Sequence, residues 1–252
     1  MGVKSKIMAA AAAGTVLLTL GSCLKNDDET YAMQECYGIV DEVGPVPVVV
    51  TDEGDTLYVR ENRDPRFVLE DGLRVRMNFT VTSPVRPHVY DVVAHAFGQL
   101  LTKDAVRLSE LDEAWRDSIG NDPIGVRAAW FGGGRFLNIV FGIRFANPDS
   151  KHFINLVVDE ENSTQQQVIV TLRHNAFGDG ILQEGYGRAS FDISGLVPEG
   201  QNGMTVVLKW TDYDGIVRSD SGVFERNDTF SSAAFAGRKT TTEPASVPVS
   251  IR

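Results

Sequence analysis

The sequence predicts an all-β protein: a small OB-like five-stranded barrel followed by an antiparallel β-sandwich, with one short connecting helix. Three observations predict it. Apolar and polar residues alternate with period two over Leu73–Val81 and Leu137–Phe145, the signature of half-buried strands. Short runs rich in Val, Ile, Phe and Thr are separated at near-even spacing by Gly, Asp, Asn and Pro. Helical spacing of apolar residues occurs once, between residues 98 and 123.

The barrel is assigned to residues 34–97. Ile39 to Val43 opens it, and Val46 to Val50 and Thr56 to Val59 flank Asp52-Glu53-Gly54-Asp55, a hairpin signal. Leu73, Val75, Met77, Phe79 and Val81 then share one face, with Arg74, Arg76 and Asn78 on the other. Val89 to Phe97 supplies a fifth strand, and five short strands with a longer central one suit a small closed barrel. Residues 98–123 break the rhythm. Leu108, Leu111 and Trp115 recur at helical spacing among Glu110, Asp112 and Glu113, which predicts a connector with one amphipathic helix, ended by Gly120-Asn121-Asp122-Pro123.

Residues 124–223 form the predicted sandwich. Leu137, Ile139, Phe141, Ile143 and Phe145 lie on one face, opposite Asn138, Val140 and Arg144, and Gly132-Gly133-Gly134 turns the chain into that strand. Further strands are expected at Phe153 to Val158, Val168 to Arg173, Tyr186 to Ile193, Met204 to Trp210 and Ile216 to Val223, joined as sequential hairpins. From Phe224 the Ser, Thr and Ala content rises. A tail over 224–252 is expected, with an edge strand at Val247 to Ile251.

The N-terminus has the layout of a secretory leader: Lys4 and Lys6, an apolar alanine-rich run from Ile7 to Leu20, then small residues before a cysteine. The run falls short of the roughly 20 residues that span a bilayer. Leu20-Gly21-Ser22-Cys23 resembles the lipobox of bacterial lipoproteins. That resemblance implies cleavage after Ser22, a diacylglycerol thioether on Cys23, and a mature chain anchored to a membrane by lipid. Lys25, Asp27, Asp28 and Glu29 follow within a tether over 23–33, too charged to offset its ordering entropy. This run looks like the acidic export motif of surface lipoproteins of gut and oral Gram-negative bacteria. It implies the cell surface of the outer membrane, with the periplasmic leaflet as the alternative.

Charge and cysteines narrow the function classes. The chain carries 24 Lys+Arg against 34 Asp+Glu, a net charge of −10, and loses two lysines with its leader. Such a surface repels phosphate backbones. Residues 32–97 hold no lysine and more acidic than basic side chains, so the barrel lacks the basic track a single-strand groove needs, and no nucleic-acid partner is expected. Once Cys23 is acylated only Cys36 remains, so no intrachain disulfide can form. Cys36 falls in a predicted strand with no activating base nearby and reads as a buried, inert thiol.

Candidate chemistry is sparse. His174, with Asn175 and Asp179 behind it and His152 as the available helper, is the most enzyme-like cluster. Metal binding there would need a further ligand pair, and Asn175 to Asp179 with Gly178 and Gly180 reads as a hairpin turn. Asp212-Tyr213-Asp214-Gly215 invites a calcium reading, but no glutamate closes a twelve-residue loop, and Asp-Gly is ordinary hairpin chemistry. Glu160 and Glu161 fall in a solvated loop. No Gly-x-Ser-x-Gly elbow, phosphate loop or His-Glu-x-x-His helix is present. No catalytic residue, metal ligand or cofactor is therefore assigned. Asp55-Thr56-Leu57 and Asp117-Ser118-Ile119 resemble three-residue O-glycosylation acceptors of the same bacterial group.

Several phrases recur together: Leu101-Thr102-Lys103-Asp104, Gly120-Asn121-Asp122-Pro123-Ile124, Phe136-Leu137-Asn138-Ile139, Ile154-Asn155-Leu156-Val157, Leu172 to Asp179 and Ser190-Phe191-Asp192. With the lipobox and tether they resemble the NigD-like lipoproteins over about residues 1–223. The resemblance implies an N-terminal OB-like barrel and a C-terminal β-sandwich. It also implies a role suggested by the family's name, bacteriocin immunity, although no general activity is established for the family. The expectation is a non-enzymatic, lipid-anchored binding or protective module that meets an unknown protein or glycan through loops of its β domains. The alternative is an envelope or glycan hydrolase whose carboxylate pair is assembled by the fold.

Overall fold

The computed structural model describes residues 32–226. Ser22, Cys23, Lys25, Asp27, Asp28, Glu29 and the expected strand at Val247 to Ile251 lie outside the described residues. Among those described, no helix is long and apolar enough to cross a membrane.

Strands β1 (Gln34–Glu42), β2 (Val48–Thr51), β3 (Thr56–Asn62), β4 (Arg74–Arg86) and β5 (Val89–Gln99) close a barrel in the order β1-β2-β3-β5-β4, with β4 returning to β1. The β3–β5 pairing is parallel and the rest are antiparallel. Closure removes the free sheet edges on which chains aggregate. The period-two residues Val75, Met77, Phe79 and Val81 point inward with Val40, Val49 and Leu57. The stretch after β3 lays Phe67, Leu69 and Leu73 over this core, Phe67 stacked on Phe97 with centroids 5.4 Å apart. Cys36 is buried in the same core. Burial, reinforced by Glu53 and Asp52, pushes its thiol far above the ordinary range, so it carries no thiolate at neutral pH.

Two sheets follow. One takes the order β14-β13-β11-β10-β7 and the other β6-β12-β9-β8, where β6 is Leu101–Asp104, β7 Val106–Arg107, β8 Gly125–Gly132, β9 Phe136–Phe145, β10 Phe153–Val158, β11 Gln167–Asn175, β12 Gln183–Asp192, β13 Gly203–Thr211 and β14 Val217–Glu225. Their inner faces meet in a core that includes Leu137, Ile139, Phe141, Ile143, Leu156, Val170 and Phe191. Most pairings are antiparallel, but β7–β10, β11–β13 and β6–β12 are parallel, because those neighbours come from distant parts of the chain.

The structure redraws the connector. Residues 98–123 lend a strand to each sheet, since β6 pairs with β12 and β7 with β10. One residue, Leu100, separates the barrel from the sandwich, and its N–H donates to the Arg74 carbonyl at 3.1 Å. The helical pattern resolves into a 3-10 turn, Leu108–Glu110, and α1, Glu113–Ile119, whose N-cap Asp112 accepts from the Trp115 N–H at 2.9 Å. The predicted apolar stripe is not the buried one: Trp115 is 58% exposed, and Ile119 alone in α1 is buried. The sandwich also runs past the expected end at Val223, because Phe224 is fully buried and packs edge-on against Phe131 at 5.4 Å.

The barrel and the sandwich are joined by a buried polar cluster. Arg74 donates to both Asp52 oxygens, Nη1 to Oδ1 at 2.5 Å and Nη2 to Oδ2 at 2.6 Å, with the two side chains 2% and 4% exposed. Its remaining donors reach Asn138 Oδ1 at 3.0 Å and Ser190 Oγ at 3.2 Å, and Asn138 Nδ2 donates to Asp52 Oδ2 at 2.9 Å. The guanidinium also lies 4.4 Å over the Phe136 ring. Arg74 does stand opposite Val75, as the alternation predicts. That face is not solvated at this end of β4, because β9 and β12 cover it. A side chain at Gly132 would place its Cβ 2.1 Å from Asp52 Oδ2, so only glycine lets the strands approach this closely.

Candidate functional site

One end of the sandwich gathers the groups that the sequence singled out and several it did not. The elements that meet there are the end of β9, the end of β11 and its following loop, the β13–β14 turn, and the segment leading into β8. Together they line a pocket of about 180 Å³ with Asp122, Pro123, Arg144, His174, Ala176, Gly178, Asp179, Ile181 and Tyr213.

His174 lines it, and His152 stacks behind His174. His152 and His174 stack at 5.1 Å and 12°, both buried, with His152 Nδ1 2.8 Å from His174 Nε2. His174 Nδ1 is 3.1 Å from the Pro123 carbonyl, and His152 Nε2 is 3.2 Å from Asp179 Oδ2. The partners dictate the protons. A carbonyl only accepts, so His174 Nδ1 carries a hydrogen and Nε2 is left to accept from His152 Nδ1–H. Meeting the Asp179 carboxylate then requires a proton on His152 Nε2 too, or one on the carboxyl itself. Burial pushes His174 down to about 4, with His152 adding to the shift, so His174 is neutral.

The same groups clamp the loop between β11 and β12. Burial pushes the Asp179 carboxyl up, but hydrogen bonds from His152 and from the Gly180, Asn147 and Ala146 amides outweigh it and hold the group below the usual carboxylate range. Asp122 Oδ2 accepts from Ala176 N–H at 2.7 Å, and Asp122 N–H donates to the His174 carbonyl at 2.8 Å. Asn175 Nδ2 reaches the Ser118 carbonyl, and Arg173 Nε the Gly120 carbonyl. A Cβ at Gly120 would sit 2.6 Å from Asn175 Cβ, so the segment before β8 can cross β11 only with glycine there. Gly120-Asn121-Asp122-Pro123 is thus a brace against the loop as well as punctuation.

What the clamp holds outward is apolar. Phe177, Ile181 and Leu182 are 55%, 72% and 85% exposed. Phe177 has φ +50°, a conformation bulky side chains rarely adopt, in a turn closed by Asp179 N–H to the Ala176 carbonyl at 3.0 Å. Its ring meets Phe153 edge-on at 4.7 Å. Across the pocket, the Arg144 guanidinium stacks 4.2 Å over the Tyr213 ring and has no carboxylate partner among the described residues. Burial, with Glu184 adding to it, pushes the Tyr213 phenol far above its ordinary range. Beside it Arg127 pairs with Glu184 and lies over Tyr186.

Chemically, this end offers surfaces and few reactive groups. All four histidine nitrogens are engaged, and among the described residues no set of three or more His, Cys, Asp or Glu side chains is placed to hold a metal. The fold does bring two carboxylates, Asp122 and Asp179, to one pocket, as the hydrolase alternative requires. A general acid there would need a raised pKa, and Asp179 is shifted the other way. Asp212-Tyr213-Asp214-Gly215 is the β13–β14 turn, Gly215 at φ +77° and both aspartates paired with Arg218. Glu160 lies in a turn, where it accepts from Ser109 and sits 3.8 Å from Arg107. Thr56 is in β3, and the Ser118 hydroxyl donates to the Trp115 carbonyl at the end of α1. Sequence reasoning named His152, His174 and Asp179 but missed Arg144 as a pocket wall. It read Asp122 as punctuation before the sandwich, and Tyr213 within a calcium-like run that it assigned to a hairpin turn.

Residues 107–221 match the model of the NigD-like C-terminal beta sandwich domain. A search of curated proteins finds no match. Among solved structures, a provisionally named toxin-related protein of Parabacteroides distasonis ATCC 8503 is 24% identical, covering 79% of this chain and 96% of its own with a TM-score of 0.66. A NigD-like immunity protein of Bacteroides caccae ATCC 43185 is 21% identical over 75% of this chain and 91% of its own, TM-score 0.59. A provisionally named lipoprotein of Bacteroides fragilis NCTC 9343 is 14% identical over 78% of this chain and 99% of its own, TM-score 0.56. At these identities the likeness is one of fold.

Proposed function

The chain belongs to the NigD-like family, and from that premise we propose that it is a non-enzymatic lipoprotein, anchored by Cys23 to the outer membrane at the cell surface, that works as a binding or protective module through the end of its sandwich. One observation carries the reading. At this end of the sandwich His152, His174, Asp179 and Asp122 are spent on holding an apolar loop in place, so the site offers a braced surface more than an acid, base or nucleophile. Rigid loops on β scaffolds are common binding surfaces, since little ordering entropy remains to be lost. The leader and Leu20-Gly21-Ser22-Cys23 support the anchor, with which a provisionally named lipoprotein of this fold in Bacteroides fragilis accords, and the acidic run Asp27-Asp28-Glu29 supports surface export.

The test has two parts. Mass spectrometry of the purified protein is expected to find acylated Cys23 as the N-terminus, and protease added to intact cells is expected to remove it. A chain beginning at Met1, unacylated and inside the cell, refutes the anchor, and full protection refutes surface display. The immunity form of the reading, favoured by the name of the Bacteroides caccae relative, predicts that a deletion strain becomes sensitive to a bacteriocin. Unchanged killing rejects that form alone.

A further inference from the structure

Resting on the binding-module reading, we infer that the sandwich-end pocket takes a protein segment that presents a carboxylate next to a large apolar side chain. The rim favours protein over glycan. Sugars are held by dense hydrogen bonding and flat aromatic faces, whereas Ile181 and Leu182 offer exposed aliphatic surface and the Tyr213 face is already covered by Arg144. Desolvating such residues is what a protein interface core does, and Tyr, Phe and Arg are the residues enriched there.

The pocket supplies the specificity. Its volume of about 180 Å³ is below the 300–1,000 Å³ usual for a small-molecule site and suits one side chain. Pro123, Ala176 and Ile181 give it an apolar wall. The histidine nitrogens are consumed, and Asp179 is saturated by four donors, so neither asks anything of a ligand. Arg144 does. Among the described residues Arg144 has no carboxylate or carbonyl partner, and its stack on Tyr213 aligns it at the pocket with its donors open. An incoming carboxylate completes the pair in the bidentate geometry that guanidinium favours. Because the chain is net negative, an acidic segment is steered away from most of its surface, and Arg144 gives it a place to dock.

The experiment pans a phage-displayed library of random twelve-residue peptides on the full chain in detergent, with a glycan array probed by the same protein. Enriched peptides are expected to share Asp or Glu beside a large apolar residue. Their binding is expected to fall at least tenfold in Arg144→Gln and in Ile181→Ser/Leu182→Ser, and to be unchanged by Val68→Ser on the barrel. Circular dichroism confirms folding, and the Ile181 and Leu182 changes lie on exposed side chains. Enriched peptides without an acid, or binding equal in Arg144→Gln, overturn the inference. Glycan binding lost with Arg144→Gln overturns the peptide ligand while leaving the binding module standing, and no ligand on either format overturns both.

Discussion

Replacing Arg74 by Met tests the junction between barrel and sandwich. The substitution keeps the length of the aliphatic stem but strips two hydrogen bonds from Asp52 and one each from Asn138 and Ser190. Asp52 stays buried, with Asn138 Nδ2 its remaining side-chain donor in the cluster, so its charge is left nearly uncompensated. Breaking a buried pair from one side costs about 3–5 kcal/mol, a large share of the roughly 5–15 kcal/mol that holds a domain together. With a urea slope of about 2–3 kcal/mol/M, the midpoint should fall by about 1.5 M, read by far-ultraviolet circular dichroism. Because the pair bridges the two folds, the single transition should also broaden or split. Replacing both partners, Asp52→Leu with Arg74→Met, should recover part of the loss, since it removes the buried charge but leaves Asn138 Nδ2 without its acceptor. A loss below about 1 kcal/mol for Arg74→Met alone refutes the account.

Three further outcomes are expected. His174 is held near 4 by burial against an ordinary 6.5, so below pH 6.5 the unfolded chain takes up a proton that the folded one refuses. Stability should therefore be level above pH 6.5 and fall by about 3 kcal/mol as the pH drops to 4. His174→Gln, which can still donate and accept, should lose that part of the fall in urea titrations run at each pH. Gly120→Ala should destabilise by about 1–3 kcal/mol, because its Cβ meets β11 backbone and the Asn175 Cβ, and thermal melts would read it. Phe224→Ala should cost about 3–5 kcal/mol, whereas a residue in a loose tail would cost almost nothing.

The strands were legible because period-two alternation reports burial directly, as at Leu137 to Phe145 and Val75 to Val81. What alternation cannot report is what covers the outward face. Arg74 and Asn138 both stand on that face, and both are buried because barrel and sandwich press together there. Leu101 to Arg107 is too short to show a period, and its strands exist only because β12 and β10 accept them. The candidate site was half legible. His174, His152 and Asp179 were noticed as residue types, but Asn175 to Asp179 is a turn and a clamp at once, and only long-range contact distinguishes the two. Arg144 sat in plain view on a strand, and its lack of a carboxylate partner among the described residues is a property of three dimensions alone.

The lone residue at Leu100 bears on anyone who would dissect this protein. Expressing the C-terminal half from residue 124, the start suggested by the sequence, removes β6 and β7, uncovers the flanks of β12 and β10, and invites those bare backbones to seek partners in other molecules. A fragment begun at Leu101 keeps both strands but leaves Asn138 and Ser190 without Arg74. Among the described residues, barrel and sandwich share no seam along which they can be parted cleanly.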